Sequence, residues 1–181
     1  MKKKVIIPII VTLIVIIIGI FIGYKINGKN RQYQNKSILV SVSHSNYAWG
    51  ITFSGSAIFD DGTIYSWDFN DSDDNDYTKY IGDNNIDTKK GLEKFILNKG
   101  NIKVKKVSNN DLEKIENYIN NLTEEDTNFD ITCHGADIGD TTISVYKNDE
   151  QLVLSRSGDC DGNSNSYSAL KLLALIDKYL K

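Results

Sequence analysis

Cys133 and Cys160 are the only cysteines of the chain, and each lies in a stretch dense with aspartate and glycine. His134-Gly135-Ala136-Asp137-Ile138-Gly139-Asp140 follows the first, and Ser157-Gly158-Asp159-Cys160-Asp161-Gly162-Asn163 surrounds the second. In an oxidising compartment two such thiols pair as a disulfide. Closing a loop of that length stabilises a fold by about 3–4 kcal/mol in the chain-entropy model. Two free thiols, or cysteines serving a metal or a reaction, are the other uses of the pair. A catalytic Cys133–His134 pair is disfavoured, because adjacent strand residues point to opposite faces. His44, the second histidine, reads as a surface or strand residue.

Asp159-Cys160-Asp161-Gly162-Asn163 sets oxygen-bearing side chains at alternate positions, the spacing that opens many Ca²⁺ loops. With Asp140 it gives a calcium candidate set of Asp159, Asp161, Asn163 and Asp140. The match stops there: the sixth position is Ser164 rather than Gly, and the twelfth is Leu170 rather than Glu. Asp71, Asp73 and Asn75 repeat the opening and depart from it at Asp76 and Gly82. Such side chains also serve simply as turn formers and helix caps. A small hydrolase would draw its carboxylates from the same loop pair, at Asp140, Asp159 and Asp161. The chain holds no G-x-S-x-G, H-E-x-x-H, P-loop or S-x-x-K motif, so no catalytic residue and no cofactor is assigned. Trp49, Tyr65, Trp67 and Phe69 have the strand spacing of a core face, with a sugar- or peptide-binding face as the alternative.

The elements that must position these loops are legible in the periodicity. Ile38, Val40 and Val42 alternate with serines, which predicts a strand. Residues 49–59 and 63–69 flank Asp60-Asp61-Gly62, a hairpin signal. A three-residue loop pairs Phe59 with Thr63, Ala57 with Tyr65, Gly55 with Trp67 and Phe53 with Phe69. After the acidic loop 70–87, a helix is predicted over 88–98 with Gly100 as its stop. An edge strand follows over 102–107. Ser108 to Asp111 resembles a capping box, opening a helix whose buried stripe is Leu112, Ile115, Ile119 and Leu122.

A second hairpin turns at Asn148-Asp149. It pairs Lys147 with Glu150, Val145 with Leu152 and Ile143 with Leu154. Continued outward, that register sets Asp140 opposite Ser157, Gly139 opposite Gly158 and Ile138 opposite Asp159, so the two cysteine-bearing loops meet. Residue 160 then falls opposite 137. A last helix is predicted over 165–180, with Tyr167, Leu170, Leu173 and Ala174 on one buried face. Leu172, Leu175, Ile176 and Tyr179 widen that face. Strands in hairpin pairs rather than regular alternation with helices predict an α+β domain. Its sheet is mostly antiparallel, built on two β-hairpins and packed against about three helices.

Residues 5–23 are apolar and uncharged and follow Lys2, Lys3 and Lys4. About 20 such residues cross a bilayer as a helix. The first alanine is Ala48, so the A-x-A cleavage pattern of a signal peptide is missing here. The expected organisation is a leader over 1–4, a single transmembrane signal anchor over 5–23, a flexible stalk over 24–37 and an extracytoplasmic domain over 38–181. The alternative is cleavage after Gly23 or Gly28. The compact lysine leader favours the N-terminus inside and the domain outside.

Seven basic residues and no acids precede Ser37, leaving the domain 14 basic against 24 acidic residues, a net of −10. That charge argues against nucleic acid and other polyanions as partners. The composition suits a bacterial cell-surface protein. Its partners would be the lipid bilayer, through residues 5–23, and a protein or other cell-envelope component. The expected function is a membrane-anchored, non-catalytic binding or interaction module, with a small surface hydrolase as the alternative.

Overall fold

The computed structural model describes Ile18 and residues 36–46, 48, 52–70, 86, 88–102, 105–135 and 137–180. The expected anchor, apart from Ile18, lies outside them, as do Trp49, the Asp71 loop and most of the stalk. Among the described residues no helix is long and apolar enough to cross a membrane. The chain divides into Met1–Lys36 and Ser37–Lys181.

The second unit is α+β. Its elements are β1 (Ile38–Asn46), β2 (Thr52–Phe59), β3 (Ile64–Asn70), α1 (Lys89–Lys99), β4 (Asn101–Ile102), α2 (Asn109–Asn121), a 3₁₀ turn (Glu125–Thr127), β5 (Thr132–Cys133), β6 (Asp140–Lys147), β7 (Glu150–Gly158), β8 (Cys160–Asn163) and α3 (Tyr167–Leu180). The strands run in the order β4-β3-β2-β1-β6-β7-β8-β5, and every pairing is antiparallel. Seven strands form the main sheet, and β5 attaches at its end through β8.

The first hairpin has the expected register: Ala57 faces Tyr65, Gly55 faces Trp67 and Phe53 faces Phe69. Gly62 makes the turn at φ 74°, where a side chain would be strained. The second hairpin turns at Asn148 and Asp149, both at positive φ, as a two-residue loop between right-twisted strands requires. Lys147 pairs with Glu150 and Val145 with Leu152 as expected, but Ile143 does not pair with Leu154. A bulge inserts Leu154 as an extra residue between Val153 and Ser155, and its carbonyl accepts from the Ser164 N–H. Beyond the bulge the register slips by one, so Asp140 faces Gly158 rather than Ser157.

Helices cover both faces of the sheet. On one face Val40, Ile58, Ile64, Val145 and Leu154 pack against Ile115 and Ile119 of α2 and Ala169, Leu172 and Ile176 of α3. On the other, Ile38, Phe53, Phe59, Tyr65 and Trp67 pack against Leu92, Phe95 and Ile96 of α1. Tyr65 and Trp67 are therefore core residues.

Four helical and strand expectations need correction. Of the edge strand predicted over 102–107, residues 103–104 lie outside the described residues and 105–107 are not strand; β4 is Asn101–Ile102, and the Val107 N–H donates to the Gly62 carbonyl. The last helix starts at Tyr167, not 165, with Ser166 accepting from the Ala169 N–H. Its buried face is Ala169, Leu172, Ile176 and Leu180, while Tyr167 and Leu170 are exposed at 70% and 53%. The α2 and α3 helices share the core on one face of the sheet, and the opposite side of α3, with Tyr167, Leu170 and Ala174, faces solvent. The capping box is half-formed as well. Ser108 accepts from the Asp111 N–H, but the Asp111 carboxylate turns to Lys114, Lys178 and Tyr179 instead of reaching back. The Tyr179 hydroxyl takes the Ser108 N–H in its place. Asp111 is buried, and these partners hold it well below the usual carboxylate range, the Lys178 hydrogen bond first.

Candidate functional site

The two cysteine-bearing loops do meet, but by a route the hairpin pattern hides. After β7 the chain reverses at Asp159 and returns as β8, pairing Arg156 with Gly162 and Ser155 with Asn163. Gly158 sits at φ 131°, and a Cβ there would lie 2.0 Å from the Gly139 carbonyl oxygen. Only glycine allows that approach. Cys160 therefore lies on β8, next to the outermost strand, and is not paired with residue 137. There β5 pairs Cys133 directly with Cys160, and their sulfurs lie 2.06 Å apart, a disulfide across neighbouring strands.

The loop carboxylates are bound to backbone. Asp159 accepts from the Ile138 N–H at 3.0 Å and the Gly139 N–H at 2.9 Å. Asp140 accepts from the Cys160 N–H at 2.9 Å. Asp161 accepts from the Gly158 N–H at 3.2 Å and lies 3.7 Å from Nε2 of His134. Asn163 accepts from the Ser155 hydroxyl. The four calcium candidates thus share one end of the sheet, each engaged with a different partner. Among the described residues no group of three or more His, Cys, Asp and Glu side chains is arranged to hold a metal ion. His44 lies on β1 and bonds Thr141.

Beside the disulfide is a polar cleft of about 550 Å³, lined by residues 125–126, 128–130 and 163–166. Glu125, Asp126 and Asp130 give it three carboxylates, Asn128, Asn163 and Asn165 three amides, and Phe129 an aromatic edge. The Phe129 ring and the Asp130 carbonyl pack onto Gly162, where a Cβ would come within 2.8 Å and 2.7 Å of them. Asp126 ties the 3₁₀ turn by accepting from the N–H and hydroxyl of Thr123. The Thr123 N–H, then Ser166, then the Thr123 hydroxyl keep its pKa low, so it stays ionised. The neighbouring cation Lys147 donates to the Asn120 and Leu122 carbonyls and so is committed to the end of α2.

No motif marks Glu125, Asp126 or Asp130 in the sequence. They lie in the connection between α2 and β5, and only the unforeseen β8 brings Asn163–Ser166 opposite them. No family model matches this chain, and no curated protein or solved structure matches it either.

Proposed function

We propose that this protein is a membrane-anchored, extracytoplasmic binding module without catalytic activity, and that the cleft beside the disulfide takes a cationic ligand such as an amine-bearing chain of a protein or other envelope partner. Residues 5–23 would cross the bilayer once, with the N-terminus inside. The lysine leader and the apolar run support that orientation, as does a disulfide, which persists in oxidising compartments.

The cleft carries the reading. It is concave, it sets Glu125, Asp126 and Asp130 around one opening, and among the described residues no basic side chain lines it. Opposite charge speeds encounter and screens poorly matched partners more than it adds affinity. The hydrolase alternative draws on Asp140, Asp159 and Asp161, and each of these holds a backbone N–H, which speaks for a scaffold role. Asp126 holds the Thr123 N–H in the same way, so Glu125 and Asp130 are the cleft carboxylates that would meet a cation.

Isothermal titration of the full-length chain in neutral detergent with tetralysine tests the reading. Binding should weaken several-fold in the Glu125→Gln/Asp130→Asn double variant and fade as salt rises, since exposed charges are screened within about 10 Å at 0.1 M salt. Equal binding by the variant would overturn the cleft assignment.

A further inference from the structure

The disulfide joins a lightly held element to a firmly held one. Within 128–135 only Phe129 is even half-buried. Besides the sulfur bridge, the described attachments of the segment are the two-residue β5–β8 ladder, the His134 N–H donating to the Asp159 carbonyl at 2.8 Å, the exposed His134 ring 3.7 Å from the Asp161 carboxylate, and Phe129 on Gly162. β8 is held differently. It pairs with β7, and its tip is fixed by Asp159 to Ile138 and Gly139 and by Asp140 to the Cys160 N–H. None of those bonds involves a sulfur. Segments with little buried apolar surface and few backbone bonds open first.

We propose that Cys133–Cys160 is a redox-operated clasp: reduction by a dithiol frees β5 and the 128–135 segment while the rest of the domain stays folded. Cys133 is the exposed partner and Cys160 the half-buried one, so attack falls on Sγ of Cys133. A thiolate of the dithiol bonds to that sulfur, and the S–S electron pair leaves on Cys160, which takes a proton from water. The second thiol of the dithiol then attacks its own sulfur in the mixed disulfide and expels Cys133 as a thiolate, which is protonated in turn. The dithiol ends as a disulfide, and two electrons have passed to the two cysteines. Phe129 and Asp130 form one wall of the cleft, so the reduced form loses that wall. The proposal does not depend on what the cleft binds.

Hydrogen exchange read by mass spectrometry on the full-length chain in detergent, with and without dithiothreitol, tests it. Amides of 129–135 should exchange faster on reduction, on the order of tenfold, while those of β6, β7 and α3 keep their protection. The Cys133→Ser/Cys160→Ser variant should match the reduced pattern. If it does not fold, reduction of the folded wild type still decides. Unchanged exchange in 129–135 would overturn the clasp. So would loss of protection throughout β6, β7 and α3, which would make the bond a staple of the whole domain.

Discussion

Asp159 and Gly139 bond to each other twice. The Gly139 N–H donates to the Asp159 carboxylate at 2.9 Å, and the Asp159 N–H donates back to the Gly139 carbonyl at 3.0 Å. The same carboxylate holds the Ile138 N–H. This reciprocal pair locks the entry to β6 against the β7–β8 reversal. Hydrogen bonds to a charged group contribute roughly 1.5–3 kcal/mol, and the half-buried position places Asp159 near the low end. Asp159→Ala should therefore cost about 1.5 kcal/mol in urea unfolding. Asp159→Asn keeps one acceptor and should lose less. No loss in either variant would contradict the staple.

Gly55 makes a second test, of packing. A Cβ there would lie 2.3 Å from the Val42 carbonyl oxygen and 2.5 Å from the Trp67 ring. Neither backbone oxygen nor a buried indole can move away cheaply. Gly55→Ala should destabilise the domain by about 1–3 kcal/mol, as overpacking does, with a shifted Trp67 fluorescence.

Acid should weaken the fold through three carboxylates. Asp111 is held below its ordinary range by Lys178, Lys114 and Tyr179, Asp126 by Thr123 and Ser166, and Asp149 by Lys89. A group whose folded pKa is depressed binds its proton more readily in the unfolded chain. Its contribution is full above the unfolded value of about 4 and is lost as pH falls below it toward the folded pKa. The urea midpoint should fall steadily from about pH 4 downward. Asp111→Asn should start lower at neutral pH and show a shallower acid slope. An unchanged slope would mean that the α2–α3 clamp plays no part.

Much of the fold was legible because periodicity and turn chemistry act locally. Asp60-Asp61-Gly62 fixed the first hairpin's register through one glycine, and Asn148-Asp149 placed the second turn. What escaped depends on contacts distant in sequence. The bulge at Leu154 arises where its carbonyl meets the Ser164 N–H, and that one extra residue shifts every pair beyond it. β8 is four residues of Cys-Asp-Gly-Asn, with no strand composition at all; its pairing with β7 follows from the reversal at Asp159 and Gly158. The disulfide partners were readable because the chain offers only two cysteines. The cleft was not, because its acids carry no motif and its far wall is the end of β8.

The disulfide itself has a simple check. Intact mass of folded, natively exported protein, alkylated without reductant, should show no added label, and two labels after reduction. Two labels without reductant would reject the Cys133–Cys160 bond and the clasp with it.

The most direct test of the binding reading is a chemical-shift map of the ¹⁵N-labelled full-length chain in detergent, titrated with tetralysine. Amides of 125–130 and 163–166 should move together and saturably, with the Glu125→Gln/Asp130→Asn variant showing smaller shifts at the same peptide concentration. Shifts scattered over the acidic surface, or centred elsewhere and unaffected by the two substitutions, would contradict a cleft that recognises a cation.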